Sequence, residues 1–446
     1  MNGGAAGEVK RIAWQRIASV IAPVGVMAVA FIVYMGNGRG WPSGDTIPNK
    51  LLPISILQEG DLDLDEFVAQ IPQGKRYSMV TVNGRTYSSY PLGTAFTALP
   101  VYAVAGCVIP GLYAERMAPF HALGQGFGNE RRTVASTLEK LSAALVAACS
   151  VLFVWLIARS RADVYTALLV TGAYAFGTSV MSSASQALWT HTGSCLALTA
   201  MLYLTTRPGV HATGLLIAGA CAGWAFFCRP TNVLALAVFG FWVLVNRRQR
   251  ALWWALGAAV VTLLAMLLNN VLYGHILGGG SARAGRLGGF SLEALLGVLF
   301  SPSRGLLVFS PYLALALLGG IVVNRRTPWR WEGGCLAAAM IYILLYACWP
   351  DWGGGYSLGP RLLCDVVPLL VLPFLSVCVS LPSAWRWRVP CVLAVALSVA
   401  VHAMGAYRGD QGWNGRIYRK QEVSALWQVR NSQWRWILFG RQRPRD

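Results

Sequence analysis

The feature that most constrains this chain is its series of apolar runs, each roughly 17–25 residues long and able to cross a ~30 Å hydrocarbon core as a helix. No water-soluble fold calls for so many. In lipid every backbone N–H and C=O needs an internal partner, so the chain is predicted to be an all-α polytopic membrane protein. A composition of 55% hydrophobic and 12% charged residues agrees. The expected spans fall near 17–36, 134–158, 164–182, 187–206, 212–228, 231–246, 251–272, 304–323, 333–349, 362–380 and 389–406, about eleven in all. The first run, Ile17 to Met35, lacks a small-residue cleavage site and is read as a retained anchor.

A formal charge of +19 would suit nucleic acid, but its distribution excludes that partner. The basic residues form short clusters between apolar runs: Lys10/Arg11/Arg16, Arg159/Arg161, Arg207, Arg247/Arg248/Arg250, Arg325/Arg326/Arg330 and Arg386/Arg388. The stretch Leu92–Gly111 decides how they fall. If it does not cross, all of them lie on one side, and the positive-inside rule makes that side cytoplasmic. It is therefore expected to be a hydrophobic hairpin or interfacial helix, broken by Pro100 and Pro110.

This predicts a cytoplasmic N-terminus (1–16), a transmembrane domain (17–406) and an extracytoplasmic tail (407–446). Residues 37–133 form one large external loop. Within it, Thr46–Leu57 and Leu62–Ala69 read as short amphipathic helices, and Asn83-Gly84 as a hairpin turn. The ten cysteines are scattered, with no CxxC pair, so neither a zinc site nor a disulfide framework is indicated.

Asp45, in Trp41-Pro42-Ser43-Gly44-Asp45-Thr46, stands just past the first span, where an enzyme acting on a lipid-anchored substrate would place a base. Five arginines on the external side are not explained by positive-inside: Arg229, Arg283, Arg286, Arg304 and Arg361. Guanidinium groups at a membrane boundary suit phosphate oxygens, through paired, charge-assisted hydrogen bonds. His191, at an outer helix end, would donate to a phosphate, orient a substrate hydroxyl or bond neighbouring backbone. Asp351, between Pro350 and Trp352, is a candidate for sugar contact or for orienting Arg361. Asp61, Asp63, Asp65 and Glu66 read as a solvated face or a divalent-cation site. No P-loop, HExxH or GxSxG occurs, and the runs Gly278–Gly280 and Gly353–Gly355 do not follow strands.

The residues in question are Gly44-Asp45, Ser89-Tyr90-Pro91-Leu92-Gly93, Trp189-Thr190-His191, Arg229-Pro230-Thr231, Ser301-Pro302-Ser303-Arg304-Gly305-Leu306 and Trp352 to Arg361. In that order the chain resembles the GT-C class of integral-membrane glycosyltransferases. Within it, the closest resemblance is to the bacterial branch related to protein O-mannosyltransferases and lipid A aminoarabinose transferases. The resemblance implies transfer of a sugar from a polyprenyl-phosphate-linked donor to a lipid, glycan or protein acceptor, with inversion, on the extracytoplasmic face of a bacterial inner membrane. Asp45 would be the base or acceptor-orienting group. Arg229, Arg361 and Arg304, with Arg283 and Arg286, would bind the donor phosphate, and His191, Tyr90, Asp351 and Tyr356 the rest of the substrate. Many relatives pair two acids at the catalytic position, whereas Asp45 has Gly44 and Thr46 beside it, which leaves a divalent cation (Mg or Mn) open. A flippase or exporter of lipid-linked saccharides would want arginines lining a central cavity. A polymerase or ligase would carry its main external loop between late helices.

Overall fold

The apolar runs fold as helices. The computed structural model describes residues 21–113, 122–125, 131–280, 287–326, 330–381, 384–409, 412–419 and 423–439. In chain order the helices are α1 (Ile21–Met35), α2 (Ile47–Gln58), α3 (Gly93–Val108), α4 (Val134–Arg159), α5 (Val164–Phe176), α6 (Thr190–Thr206), α7 (Ala212–Cys228), α8 (Val233–Asn246) and α9 (Ala251–Tyr273). They continue as α10 (Leu292–Phe300), α11 (Tyr312–Arg326), α12 (Trp331–Ala347), α13 (Val371–Ser380), α14 (Trp385–Arg408), α15 (Gly412–Arg419) and α16 (Gln433–Phe439).

Among the described residues, three helical stretches are long and apolar enough to cross a membrane: Val134–Arg159, Arg248–Tyr273 and Arg388–Arg408. Eight shorter apolar helices of 10–17 residues accompany them. Several expected spans are thus interrupted. In the 304–323 run, a helical turn at Leu306–Phe309 ends at Ser310, and α11 starts only beyond Pro311. A proline disfavours helical geometry in the residue before it, and Ser310 accordingly leaves the helical region, with φ −130° and ψ 68°.

The bundle has two unlike ends. At one, Arg161 joins α4 to α6 by donating to the Thr206 carbonyl at 2.8 Å. Arg247 donates to the Arg207 carbonyl at 2.9 Å, and its guanidinium lies over the Trp331 ring. At the other end, Asn37, after α1, donates to the Ala406 carbonyl of α14 at 2.9 Å and to Gln186 at 2.6 Å. Asp45 belongs to this second end, opposite the arginine clusters.

α3 corrects the expectation of a hairpin broken at two prolines. It is one helix that runs through Pro100 and stops before Pro110. Pro100 forfeits a single helix hydrogen bond, and the buried face of Ala95, Ala98 and Tyr102 holds the helix together across it. Beyond its end, Tyr113 donates to the Tyr102 carbonyl, and Leu112 packs with Leu51, Phe67, Leu138 and Leu188. The segment therefore stays against α2 and the first turns of α4.

In the rest of the loop, Thr46–Leu57 corresponds to α2, while Leu62–Ala69 forms a 3-10 stretch, Asp65–Gln70, rather than an α-helix. The hairpin is present as β1 (Met79–Val82) and β2 (Arg85–Ser88). Its turn needs two left-handed residues, supplied by Asn83 (φ 50°) and Gly84 (φ 82°). The loop acids brace this scaffold instead of pooling. Asp63 pairs with Arg85 at 2.9 Å, Asp65 accepts the Thr86 N–H at 2.8 Å, and Asp61 accepts from Ser55 at 2.9 Å. Among the described residues, no group of three or more His, Cys, Asp or Glu side chains converges.

Candidate active site

The chain leaves α1 and turns at Ser43, whose hydroxyl accepts the Asp45 N–H at 3.1 Å and opens the 3-10 turn Gly44–Thr46. That cap aims the Asp45 carboxylate inward. One oxygen, Oδ2, pairs with Nη1 of Arg361 at 2.7 Å, across 316 residues of chain. The other, Oδ1, accepts hydrogen bonds from the hydroxyls of Tyr90 at 2.6 Å and Tyr77 at 2.9 Å. Burial alone would raise the pKa of Asp45. The Arg361 charge and the hydrogen bonds from Tyr90, Arg361 and Tyr77 outweigh it and hold the carboxyl below its ordinary value. At neutral pH it is an anion.

Gly44 is part of this arrangement. A Cβ there would meet the Tyr77 ring, with Cζ only 2.7 Å away. Gly44→Ala is expected to push Tyr77 off the carboxylate and lower activity by about tenfold, the scale of one displaced catalytic contact. Wild-type turnover in that variant would show that the Tyr77 contact is dispensable.

Arg361 enters a 3-10 turn, Arg361–Leu363, beside a glycine-rich loop. Its Nη2 donates to the Gly354 carbonyl at 2.7 Å, and its guanidinium sits 4.2 Å from the centre of the Trp189 ring. Cation–π contact of this kind orients a guanidinium while leaving its edge free for an oxyanion. Nε is buried without a hydrogen-bond partner among the described residues. A small cleft opens against Arg361, walled by Val298, Arg304, Trp352, Pro360 and Leu362.

Deeper in the bundle lies a second charged group. Arg229, at the end of α7, donates to Asp365 Oδ2 at 2.6 Å and to the Tyr346 hydroxyl at 2.5 Å. His191 Nδ1 is 2.6 Å from the same guanidinium and 3.4 Å from Asp365. The structure thus brings Arg229 and His191 together, but around Asp365, a fully buried acid that the sequence pattern does not single out. A signal for it existed: an acid inside an apolar run, one turn beyond Arg361, is costly unless paired. Asp365→Ala leaves the Arg229 charge uncompensated and is expected to destabilise the fold by about 3–5 kcal/mol. A fall in the thermal midpoint in detergent checks this, and an unchanged midpoint would mean the pair is not holding the bundle.

Arg304 is held by a network of its own. Its guanidinium is 2% exposed and donates to the carbonyls of Ser357 and Gly355 and to the side chains of Gln433 and Asn414, at 2.7–3.0 Å. These acceptors occupy both of its terminal nitrogens. Arg304 thus clamps the loop that carries Arg361 to the C-terminal tail. Part of the tail is correspondingly packed onto the bundle. Trp413 and Asn414 on α15 and Gln433 on α16 are buried, and Tyr418 donates to the Gly353 carbonyl at 3.0 Å.

Tyr356 is 38% exposed, with its ring beside Tyr418. Asp351 is exposed at the start of the turn that Gly354 closes. Partial desolvation of its carboxyl by the surrounding protein and the nearby Asp45 charge raise its pKa, against the pull of Arg361 and Arg304. Arg283 and Arg286 lie outside the described residues.

The helical bundle, with its long loop after the first helix, has a fold with counterparts among solved structures. Among solved structures, the chain is similar to ArnT from Cupriavidus metallidurans bound to undecaprenyl phosphate, with a TM-score of 0.56 and 14% identity over 92% of this chain and 70% of that one. It is also similar to the oligosaccharyltransferase AglB from Archaeoglobus fulgidus, in complex with an inhibitory peptide and a dolichol-phosphate. That match has a TM-score of 0.53 and 11% identity over 93% of this chain, which spans 61% of AglB. No family model and no curated protein matches the sequence.

Proposed function

We propose that this protein is a glycosyltransferase that moves a sugar from a polyprenyl-phosphate-linked donor to an acceptor hydroxyl. The observation that carries the reading is the ion pair of Asp45 with Arg361, 2.7 Å apart at the end of the bundle opposite the arginine clusters. The two similar structures were solved with undecaprenyl phosphate and dolichol-phosphate, both lipid phosphates, which supports the donor class. Positive-inside then puts the clusters in the cytoplasm and the site on the extracytoplasmic side of an inner membrane, with about eleven crossings. A cysteine placed beside Asp45 should react with an impermeant thiol reagent in intact cells. Protection there, with labelling near Arg247, would reverse the orientation.

In the reaction, the acceptor oxygen bonds to the anomeric carbon while the bond from that carbon to the phosphate oxygen breaks. The electron pair of that bond leaves with polyprenyl phosphate. The acceptor's proton passes to Asp45. Arg361 offsets the negative charge that grows on the leaving phosphate, in a site with little water. An in-line displacement inverts the anomeric centre. Arg229, charge-compensated by Asp365, supports the floor of the site and adds net charge only if that pair opens.

A flippase or exporter is the second reading, but it would need arginines along a central path. Here Arg229 and Arg304 are internally paired and Arg361 faces Asp45 at one end. Purified protein should release polyprenyl phosphate from at least one of a panel of radiolabelled polyprenyl-phosphate sugars. Movement of intact donor across proteoliposomes, without release, would favour the flippase. The same assay after chelation, with Mg or Mn restored, tests the cation.

A further inference from the structure

We propose that Tyr77 and Tyr90 are positioning residues. They fix one oxygen of Asp45, so that the other oxygen, freed when the donor phosphate takes Arg361 from it, accepts the acceptor's proton. This rests on the proposed glycosyl transfer. Asp45 shows two unlike oxygens: Oδ1 holds two phenol hydroxyls, at 2.6 and 2.9 Å, and Oδ2 holds Arg361 at 2.7 Å. As it stands, Oδ2 has a guanidinium where an acceptor hydroxyl would have to approach. A resting carboxylate so engaged is a poor base, and it becomes a competent one when the cation is drawn to another anion.

The two tyrosines are not there by chance of packing. Tyr77 is 54% exposed, so water alone would satisfy its hydroxyl. Holding it on a carboxylate costs rotamer freedom without burying the ring. Its backbone is pinned to the stretch that carries Tyr90: Ser89 N–H donates to the Ser78 carbonyl at 2.8 Å, and the Ser89 hydroxyl to the Tyr77 carbonyl at 3.1 Å. The hairpin thus delivers both phenols as one unit. On the other side, Arg361 is mounted to change partners. Trp189 and the Gly354 carbonyl hold its plane, and its Nε hydrogen has no acceptor among the described residues. A phosphate brought to this guanidinium can take the Nη1 donor from Asp45.

In the step itself, the proton goes from the acceptor hydroxyl to Oδ2, the new bond forms between the acceptor oxygen and the anomeric carbon, and polyprenyl phosphate departs paired with Arg361. Donor therefore binds before the acceptor is activated.

The test uses the full-length protein with Tyr77→Phe, Tyr90→Phe and the double variant. The first readout needs no turnover: the infrared carboxyl band of Asp45, assigned by its disappearance in Asp45→Asn, followed against pH. Among the described residues, Arg361, Tyr77, Tyr90 and Asp351 face this carboxyl. Removing two hydrogen bonds to the anion should move its titration to higher pH. Adding polyprenyl phosphate to the wild type should do the same, because Arg361 is then shared.

The second readout is kinetic. The double variant should lose about 10–100-fold in kcat. The acid limb of its pH profile should move upward, while its affinity for polyprenyl phosphate stays within about twofold of wild type. An Asp45 titration that neither change moves, or equal losses of donor affinity and kcat, would overturn the proposal. If the titration shifts as expected but no polyprenyl-phosphate sugar turns over, the clamp stands and the assigned reaction falls.

Discussion

Asp45→Asn should cut glycosyl transfer by about 10²–10⁴-fold, the range contributed by a positioned general base. The amide keeps the size of the carboxylate, and its oxygen can still accept from Tyr77 and Tyr90. It cannot take a proton, and its NH₂ would face the Arg361 guanidinium donor to donor. Because Asp45 is 19% exposed, water can relieve that conflict, so the variant should insert into membranes and elute as wild type does. Affinity for polyprenyl phosphate should be retained or increased, since the guanidinium loses its internal competitor. Lost turnover with intact donor binding would place Asp45 in the chemical step. Wild-type turnover would remove it from the mechanism.

Arg361→Ala should do the reverse to binding. Deleting a donor aimed at developing oxyanion charge costs about 2.7–4 kcal/mol, or 10²–10³ in rate. Here the loss should show in donor affinity as well as in kcat, because the same group meets the ground-state phosphate. The substitution also strips Asp45 of its cation. Its two phenol partners and partial exposure should spare the fold, but its pKa rises, so the acid limb of the pH profile should move upward. Arg361→Lys keeps the charge without the planar, two-pronged contact, and should recover only part of the loss. Unchanged donor affinity in Arg361→Ala would make the residue structural, a tie between Asp45 and the Gly354 carbonyl.

Asp45 and Arg361 were legible because charged residues stand out in an apolar chain and because the topology puts both at one end. Proximity across 316 residues was an inference from that topology, and the ion pair shows it. Arg304 carried the same signal with a different outcome. Its acceptors on Asn414 and Gln433 come from 110 and 129 residues away, in a tail with no periodic pattern, so these bonds could not be read locally. Asp365 was hidden by the run of apolar residues around it. Its pairing with Arg229 depends on where α7 ends relative to the helical turn Val366–Leu369, which no spacing encodes. Tyr77 was lost among the many tyrosines expected near a membrane interface. α3 shows the limit of proline as a helix breaker: Pro100 costs one hydrogen bond, and three buried side chains on one face outweigh it.

Equilibrium binding of polyprenyl phosphate to the purified wild-type, Arg361→Ala and Asp45→Asn proteins goes most directly to the central claim, that a lipid phosphate competes with Asp45 for Arg361. Saturable binding to wild type, at least tenfold weaker in Arg361→Ala and no weaker in Asp45→Asn, is the predicted result. The same affinity in all three proteins would contradict it.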